Sequence, residues 1–285
     1  MLPFRRILFP VDYSEPCKAI VPYVKEMLSR FPAEFSLVHA YGAEALAYSE
    51  LAIADPDLPA ETRAIQEEKL RQFAAEMFPG QHADCLVACG EAGSVIDDTV
   101  EHQSADLVMM PTHGRGPVRR FLLGSVTAKV LHDVSAAVWT GAPLAITGHA
   151  PHLPYKSILC AVDGTPESEC VLRAAATLKC MYGASLELLR VVEPMPPTEY
   201  DMSAYQRDRI EAAKAGLREL QAAVGVDVPH SVIEGRIADG VRDEARHIKA
   251  DLVVAGRGHS QGAFNSFVSH LYHIIRESPC PVLSV

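Results

Sequence analysis

The chain has 285 residues, 48% hydrophobic and 22% charged, and its 26 Lys and Arg against 36 Asp and Glu leave a net charge of −10. A length of this order suggests two domains at roughly 100–200 residues each. The composition excludes long disorder and fibrous repeats, and the acidic balance excludes a general nucleic-acid coat, which needs clustered cations against phosphate.

In chain order, a short apolar run, Arg5–Val11, ends at Asp12 and predicts a strand. Ser14 then stands where an N-cap belongs, ahead of a helical pattern over Ser14–Arg30, because its hydroxyl can accept an orphan amide. A second strand is predicted over Glu34–Tyr41, a long helix over Glu61–Phe78, a third strand over Ala83–Ala88 and a helix over Ser94–Gln103. A fourth strand, Asp106–Met110, leads through a glycine-bearing loop to a helix over Ser125–His132 and a last strand, Ala136–Trp139. Gly141–Tyr155, rich in Gly, Pro and His, reads as a linker.

The same order then repeats. The predicted strands are Lys156–Val162, Ser185–Val192, Asp227–Ile233, Asp251–Ala255 and Pro281–Val285. The predicted helices are Thr165–Tyr182, Ala204–Val224, Asp239–Ile248 and Ser266–Arg276, with Thr165 as a second candidate N-cap. Residues 6–14 match 157–165 at an offset of 151, Ala105–Val108 match Ala250–Val253 at 145, and the tails match at 144. A drift confined to loops marks a duplicated domain of about 140 residues, far longer than a solenoid period. Divided near residue 145, both copies are acidic: 12 basic against 19 acidic residues (−7), then 14 against 17 (−3). Strands alternating with helices imply parallel βαβ units, so the expected class is α/β, two tandem five-stranded parallel-sheet domains (1–145 and 155–285) with helices on both faces. Short apolar last strands invite pairing, so the copies are expected to pack as a pseudo-dimer.

No membrane insertion is expected. The longest stretch without Lys, Arg, Asp or Glu, Val134–Tyr155, is interrupted by two glycines and three prolines. Ile7–Val11 is too short for a secretory signal. Seven cysteines (17, 85, 89, 160, 170, 180, 280) form no C-x-x-C pair, which points to free thiols in a reducing cytoplasm. Cys85, Cys89 and Cys160 read as buried small hydrophobes. His270 and His273 are spaced i, i+3, but no third metal ligand is evident, so no protein-held metal is expected.

In open parallel sheets ligands bind beyond the carboxyl ends of the strands. Asp12, Ala40 and the loop from Pro111 to Thr127 occupy such ends. Gly114 permits close backbone approach. Gly124-Ser125 opens a helix whose free amides favour phosphate. Arg115, Arg119 and Arg120 add positive charge in an otherwise acidic half.

Strand-end Asp12, the loop His113-Gly114-Arg115-Gly116 and the nine residues between Gly114 and Gly124-Ser125 resemble the nucleotide-binding type of universal stress protein. That signature is Gly, two residues, Gly, nine residues, then Gly-Ser or Gly-Thr; Pro111 replaces the first glycine, removes an N–H and fixes φ. The resemblance implies ATP, or AMP or ADP, with Mg²⁺ accompanying the phosphates. Carried over by position, it implies that Asp12 holds the adenine edge and that Pro10, Val11 and Ala40 wall the adenine and ribose. Met110, Pro111, His113, Gly114 and Arg115 would flank ribose and phosphates, and Gly124, Ser125, Val126 and Thr127 would cap the phosphates. In the second copy Ala161, Val162, Asp163, Val191, Gly256, Gly258 and Ser269 hold the matching positions of a degenerate site, because His259 replaces the second glycine and Val268 or Ser269 the third.

The residues leave other readings open. Asp12 and Asp163 serve equally as helix caps, and His113 as a loop hydrogen-bonder. The chain has no G-x-x-x-x-G-K-[ST] and no G-x-S-x-G. The favoured function is a nucleotide-binding stress-response or regulatory protein with an unidentified protein partner, as a monomer or homodimer. An ATP-cleaving or adenylating enzyme and a nucleotide-free interaction module are the alternatives.

Overall fold

The computed structural model describes residues 3–42, 58–114, 123–142, 153–195, 203–257 and 266–285. The chain divides into two compact units, the first ending at Gly141 and the second starting at Ala142.

In the first unit, β1 (Arg6–Pro10) pairs with β2 (Glu34–Tyr41) on one side and β4 (Leu107–Met110) on the other. β2 carries β3 (Asp84–Cys89), and β4 carries β5 (Ala137–Thr140). The order is therefore β3-β2-β1-β4-β5, parallel throughout. All four residues of β4 and of β5 are buried, so both faces of those strands are covered, which is why they read as unbroken apolar runs. Leu8, Phe9, Leu107, Val108, Val138 and Trp139 form the centre of this core.

In the second unit, β6 (Ser157–Val162) lies between β7 (Ser185–Val192) and β9 (Leu252–Ala255). β8 (His230–Glu234) flanks β7, and β10 (Val282–Ser284) flanks β9, again parallel. One device recurs: Asp106 accepts the Arg5 and Arg6 amides (2.8 and 3.1 Å), and Asp251 accepts those of Lys156 and Ser157 (2.8 and 3.1 Å). The repeated Ala-Asp-Leu-Val thus ties the start of each fourth strand to the start of its first through side-chain oxygens that accept backbone amides.

The helices follow the prediction with instructive departures. Ser14 caps α1 (Glu15–Ala19), accepting the Cys17 amide at 3.2 Å. The single helix expected over Ser14–Arg30 is divided at Ile20 into α1 and α2 (Val21–Arg30), because Pro22 has no amide to continue the ladder. Downstream lie α3 (Leu58–Met77), α4 (Ala92–Gln103) and α5 (Ser125–Asp133). In the second unit, α6 (Ser168–Tyr182) starts three residues later than expected. Thr165 does not cap it: its hydroxyl donates to Asp163 Oδ1 at 2.7 Å, and its carbonyl accepts the Ser168 amide in a turn. α7 (Ser203–Val224), α8 (Ile237–His247) and α9 (Ser266–Glu277) complete the unit.

Among the described residues no helix is long and apolar enough to cross a membrane. Cys17, Cys160 and Cys280 are buried, and burial pushes the thiols of Cys17 and Cys280 up to about 12. Cys85 and Cys89 depart from expectation, being half-buried and exposed. Among the described strands β3 is outermost in its unit, so one flank and its end face solvent.

Candidate functional site

The first unit's site forms where strand order reverses, between β1 and β4, at the carboxyl ends of the strands. β1 delivers Pro10, Val11 and Asp12 there, and β2 delivers Ala40. Val11 is buried; Pro10, Asp12 and Ala40 are half-buried. Asp12 Oδ1 accepts the amide and hydroxyl of Ser14 (3.0 and 2.6 Å). Its other oxygen faces Gly114: a Cβ on that glycine would lie 2.5 Å from Oδ2, a distance real contacts do not reach. Asp12 therefore shapes the turn into α1, and a side chain at 114 would have to displace its carboxylate.

β4 runs through buried Met110, Pro111 and Thr112 to half-buried His113 and Gly114. His113 Nδ1 bonds Thr112 Oγ1 at 3.0 Å, and its Nε2 is buried with no hydrogen-bond partner among the described residues. Gly124 donates its amide to Thr112 O at 2.9 Å, and a Cβ there would press on that same oxygen at 3.1 Å. Gly124 is the N-cap of α5 and offers no side chain to its first amides. Ser125 is exposed and Val126 half-buried. Thr127, expected to cap phosphate, points inward: it is buried, and its hydroxyl donates to Pro111 O at 3.1 Å. It fastens the helix start to the strand end. Arg115, Arg119 and Arg120 lie outside the described residues.

A neighbouring cluster escaped the sequence reading. Tyr13, at φ +63°, packs its ring at a tilt against His39 (4.7 Å) and edge-on to Phe73 (5.6 Å), with Lys69 Nζ 4.3 Å above its centroid. Left-handed backbone is unfavourable for a bulky residue, and the ring packing and cation–π contact offset that cost. His39 is buried, with Nδ1 2.6 Å from Val11 O. The repeat held the clue, since Tyr13 aligns with Gly164.

The second unit has a narrow cleft at the same strand ends, with room of only about 40 Å³, enough for a few water molecules. Ala161, Val162, Asp163, Val191 and Gly256, picked from the sequence, all line it. Gly258 lies outside the described residues, and Ser269 falls in α9 with its side chain outside them. Asp163 Oδ1 accepts the Thr165 amide and hydroxyl and the Ser168 hydroxyl, at 2.9, 2.7 and 3.0 Å. Ile237, Val241, Leu271 and Ile274, which complete the wall, were not foreseen. In neither unit do three His, Cys, Asp or Glu side chains gather to hold a metal, among the described residues.

Comparison with known proteins matches this geometry to a family. The Universal stress protein family matches residues 3–140 and again 154–285. A universal stress protein of Mycolicibacterium smegmatis is 27% identical over 299 residues, covering 98% of this chain and 96% of that protein. One from Thermus aquaticus is 35% identical over 141 residues, which is 46% of this chain and 98% of the relative. In the crystal structure of a universal stress protein from Archaeoglobus fulgidus the fold recurs with a TM-score of 0.66 at 20% identity, covering 98% of this chain and 95% of that one. With two matches that together span nearly its whole length, the chain belongs to the universal stress protein family and carries two copies of its domain.

Proposed function

We propose that the first unit binds an adenine nucleotide and that the chain acts as a nucleotide-responsive regulatory protein. The observation that carries this is the cradle between β4 and α5. An added Cβ would crowd Asp12 Oδ2 at Gly114 and Thr112 O at Gly124, the helix start has no side-chain cap hydrogen bond, and His113 Nε2 is buried with no partner among the described residues. Uncapped helix amides favour an anionic group, and an orphaned ring nitrogen favours a ligand that bonds it. Asp12 would meet the base, Pro10, Val11 and Ala40 the base and ribose, and Ser125 the phosphates. Any Mg²⁺ would arrive on the phosphate oxygens.

Nucleotide here serves as a signal. Phosphoryl transfer needs a positioned nucleophile and metal-held charge, and residues 111–127 contain no Asp or Glu. Binding that stabilises ground and transition states alike produces no turnover. The test is paired: mass spectrometry of nucleotide retained through native purification, then melting curves and phosphate release with Mg-ATP on the same sample. Linkage predicts about 2.7 kcal/mol of stabilisation at about 100 times Kd, without multiple turnover. An unshifted melt at millimolar Mg-ATP refutes binding; fast turnover refutes the regulatory role.

A further inference from the structure

We infer that His39, which belongs to no motif of the site, is a positioning residue: it fixes the strand exit that carries Asp12 and so sets how firmly the first unit grips the base of its nucleotide. The inference rests on the nucleotide reading above.

His39 stands on β2 and is buried, yet it touches the residues on both sides of Asp12. On one side its Nδ1 lies 2.6 Å from Val11 O. A carbonyl oxygen has no proton to give, so Nδ1 is the donor and carries the hydrogen. On the other side its ring packs at a tilt against Tyr13, with centroids 4.7 Å apart. The Val11 amide also reaches β2, donating to Val38 O at 2.8 Å. Residue 11 is thus tied to β2 through both of its backbone polar groups, and residue 13 through its ring. Tyr13 needs such a hold, because its backbone is left-handed at φ +63°. Phe73, edge-on at 5.6 Å, and Lys69 Nζ, 4.3 Å over the ring, complete the packing around Tyr13.

The clamp fixes the direction of one carboxylate. Asp12 Oδ1 accepts the Ser14 amide and hydroxyl, and Oδ2 lies beside Gly114 on the cradle side. A binding group works only when packing and supporting hydrogen bonds hold it within about 0.5 Å of its productive place. The second unit shows the alternative. Arg190 stands where His39 would, and its guanidinium turns to Gly164, with no hydrogen bond to Val162 among the described residues. There the strand-end carboxylate is held by donors of its own turn, Thr165 and Ser168.

The experiment titrates Mg-ATP into the full chain by calorimetry. His39→Leu removes the donor, whereas His39→Asn sets an amide nitrogen where Nδ1 stands. His39→Leu should weaken binding about tenfold, the size of one lost hydrogen bond, and His39→Asn should restore most of it. Both delete the ring, so a role confined to packing would weaken binding alike in the two. In the Asp12→Ala background His39→Leu should change affinity less than about twofold, because no carboxylate is left to aim. Without nucleotide, amide NMR should show Ser14 and Gly114 moved in His39→Leu and close to wild type in His39→Asn. If His39→Leu melts early, Tyr13→Gly breaks the clamp from its other side with a residue that accepts positive φ, and should weaken Mg-ATP binding about threefold. No Mg-ATP binding by the unaltered chain would overturn the nucleotide reading and this inference with it. Binding with equal losses in His39→Leu and His39→Asn, losses that add to that of Asp12→Ala, unmoved Ser14 and Gly114 amides, or unchanged affinity in Tyr13→Gly would overturn this inference alone.

Discussion

At residue 13 the first unit places a tyrosine; at the matching residue 164 the second places a glycine. Both backbones are left-handed there, at φ +63° and +81°. The neighbour on the next strand differs in step: His39 on β2, Arg190 on β7. In the first unit the Tyr13 ring, on the turn after β1, packs at a tilt against the histidine. In the second, the guanidinium reaches back so far that a Cβ on Gly164 would lie 2.6 Å from it. The same corner is filled from opposite strands. A duplicated fold can thus keep its packing and its strand-end carboxylate while changing what the space beside that carboxylate offers.

The largest way to break the comparison is to obstruct the first unit's cradle. Gly124→Arg should weaken nucleotide binding by one to several decades, since a few phosphate hydrogen bonds of about 1.5–3 kcal/mol each would be lost. Calorimetry should give one nucleotide per chain before the change, with a melting curve to show the variant folded. Two equivalent sites would contradict the asymmetry.

Next is the corner itself. Gly164→Ala combines a left-handed β-carbon with a collision against Arg190, and should cost about 1–3 kcal/mol in urea unfolding. Adding Arg190→Ala should recover part of that loss, with a coupling of about 0.5–3 kcal/mol. Strict additivity would mean that the guanidinium does not shape the turn.

A smaller effect separates the two helix starts. Thr127→Val removes the tie to Pro111 O and should destabilise the first unit by about 1 kcal/mol, the usual net worth of a buried hydrogen bond. If nucleotide affinity falls far more than stability, Thr127 touches the ligand after all.

Much of this was readable before any coordinates. Alternating apolar runs gave the strands, and Asp106 and Asp251 stood out as a repeated motif, though their role as amide acceptors needs the sheet to bring residues about 100 positions apart together. Ser14 announced its capping role; Thr165 carried the same chemistry but lost the role to a Pro166 turn. The second cleft was half legible. Its strand-end residues follow from strand-end logic, but Ile237, Val241, Leu271 and Ile274 look like any inward helix stripe, and periodicity cannot tell core from cavity wall.

The finest contrast lies at the N-caps of α4 and α8. Glu91 accepts the Gly93 and Ser94 amides at 2.8 and 2.9 Å. The Gly93 amide foremost holds its carboxyl below the usual carboxylate range. At the matching position Arg236 is the N-cap of α8 and makes no capping side-chain hydrogen bond, its guanidinium pairing instead with Asp239 at 3.4 Å. A cation at a helix N-terminus also opposes the dipole. Glu91→Ala should therefore cost about 1 kcal/mol, and Arg236→Asn should gain about 0.5 kcal/mol by creating the missing cap, net of the exposed Asp239 ion pair it gives up. The pH dependence follows from the direction of the shift. A carboxyl whose folded-state pKa is lowered stabilises the fold above its unfolded value, and that contribution disappears as pH falls through the folded value. The gap between wild type and Glu91→Ala should thus be full at neutral pH and close in acid, as read by urea midpoints across the carboxylate range. A gap that persists unchanged in acid would show that Glu91 acts through packing, and the two helix starts would then differ in shape and not in charge.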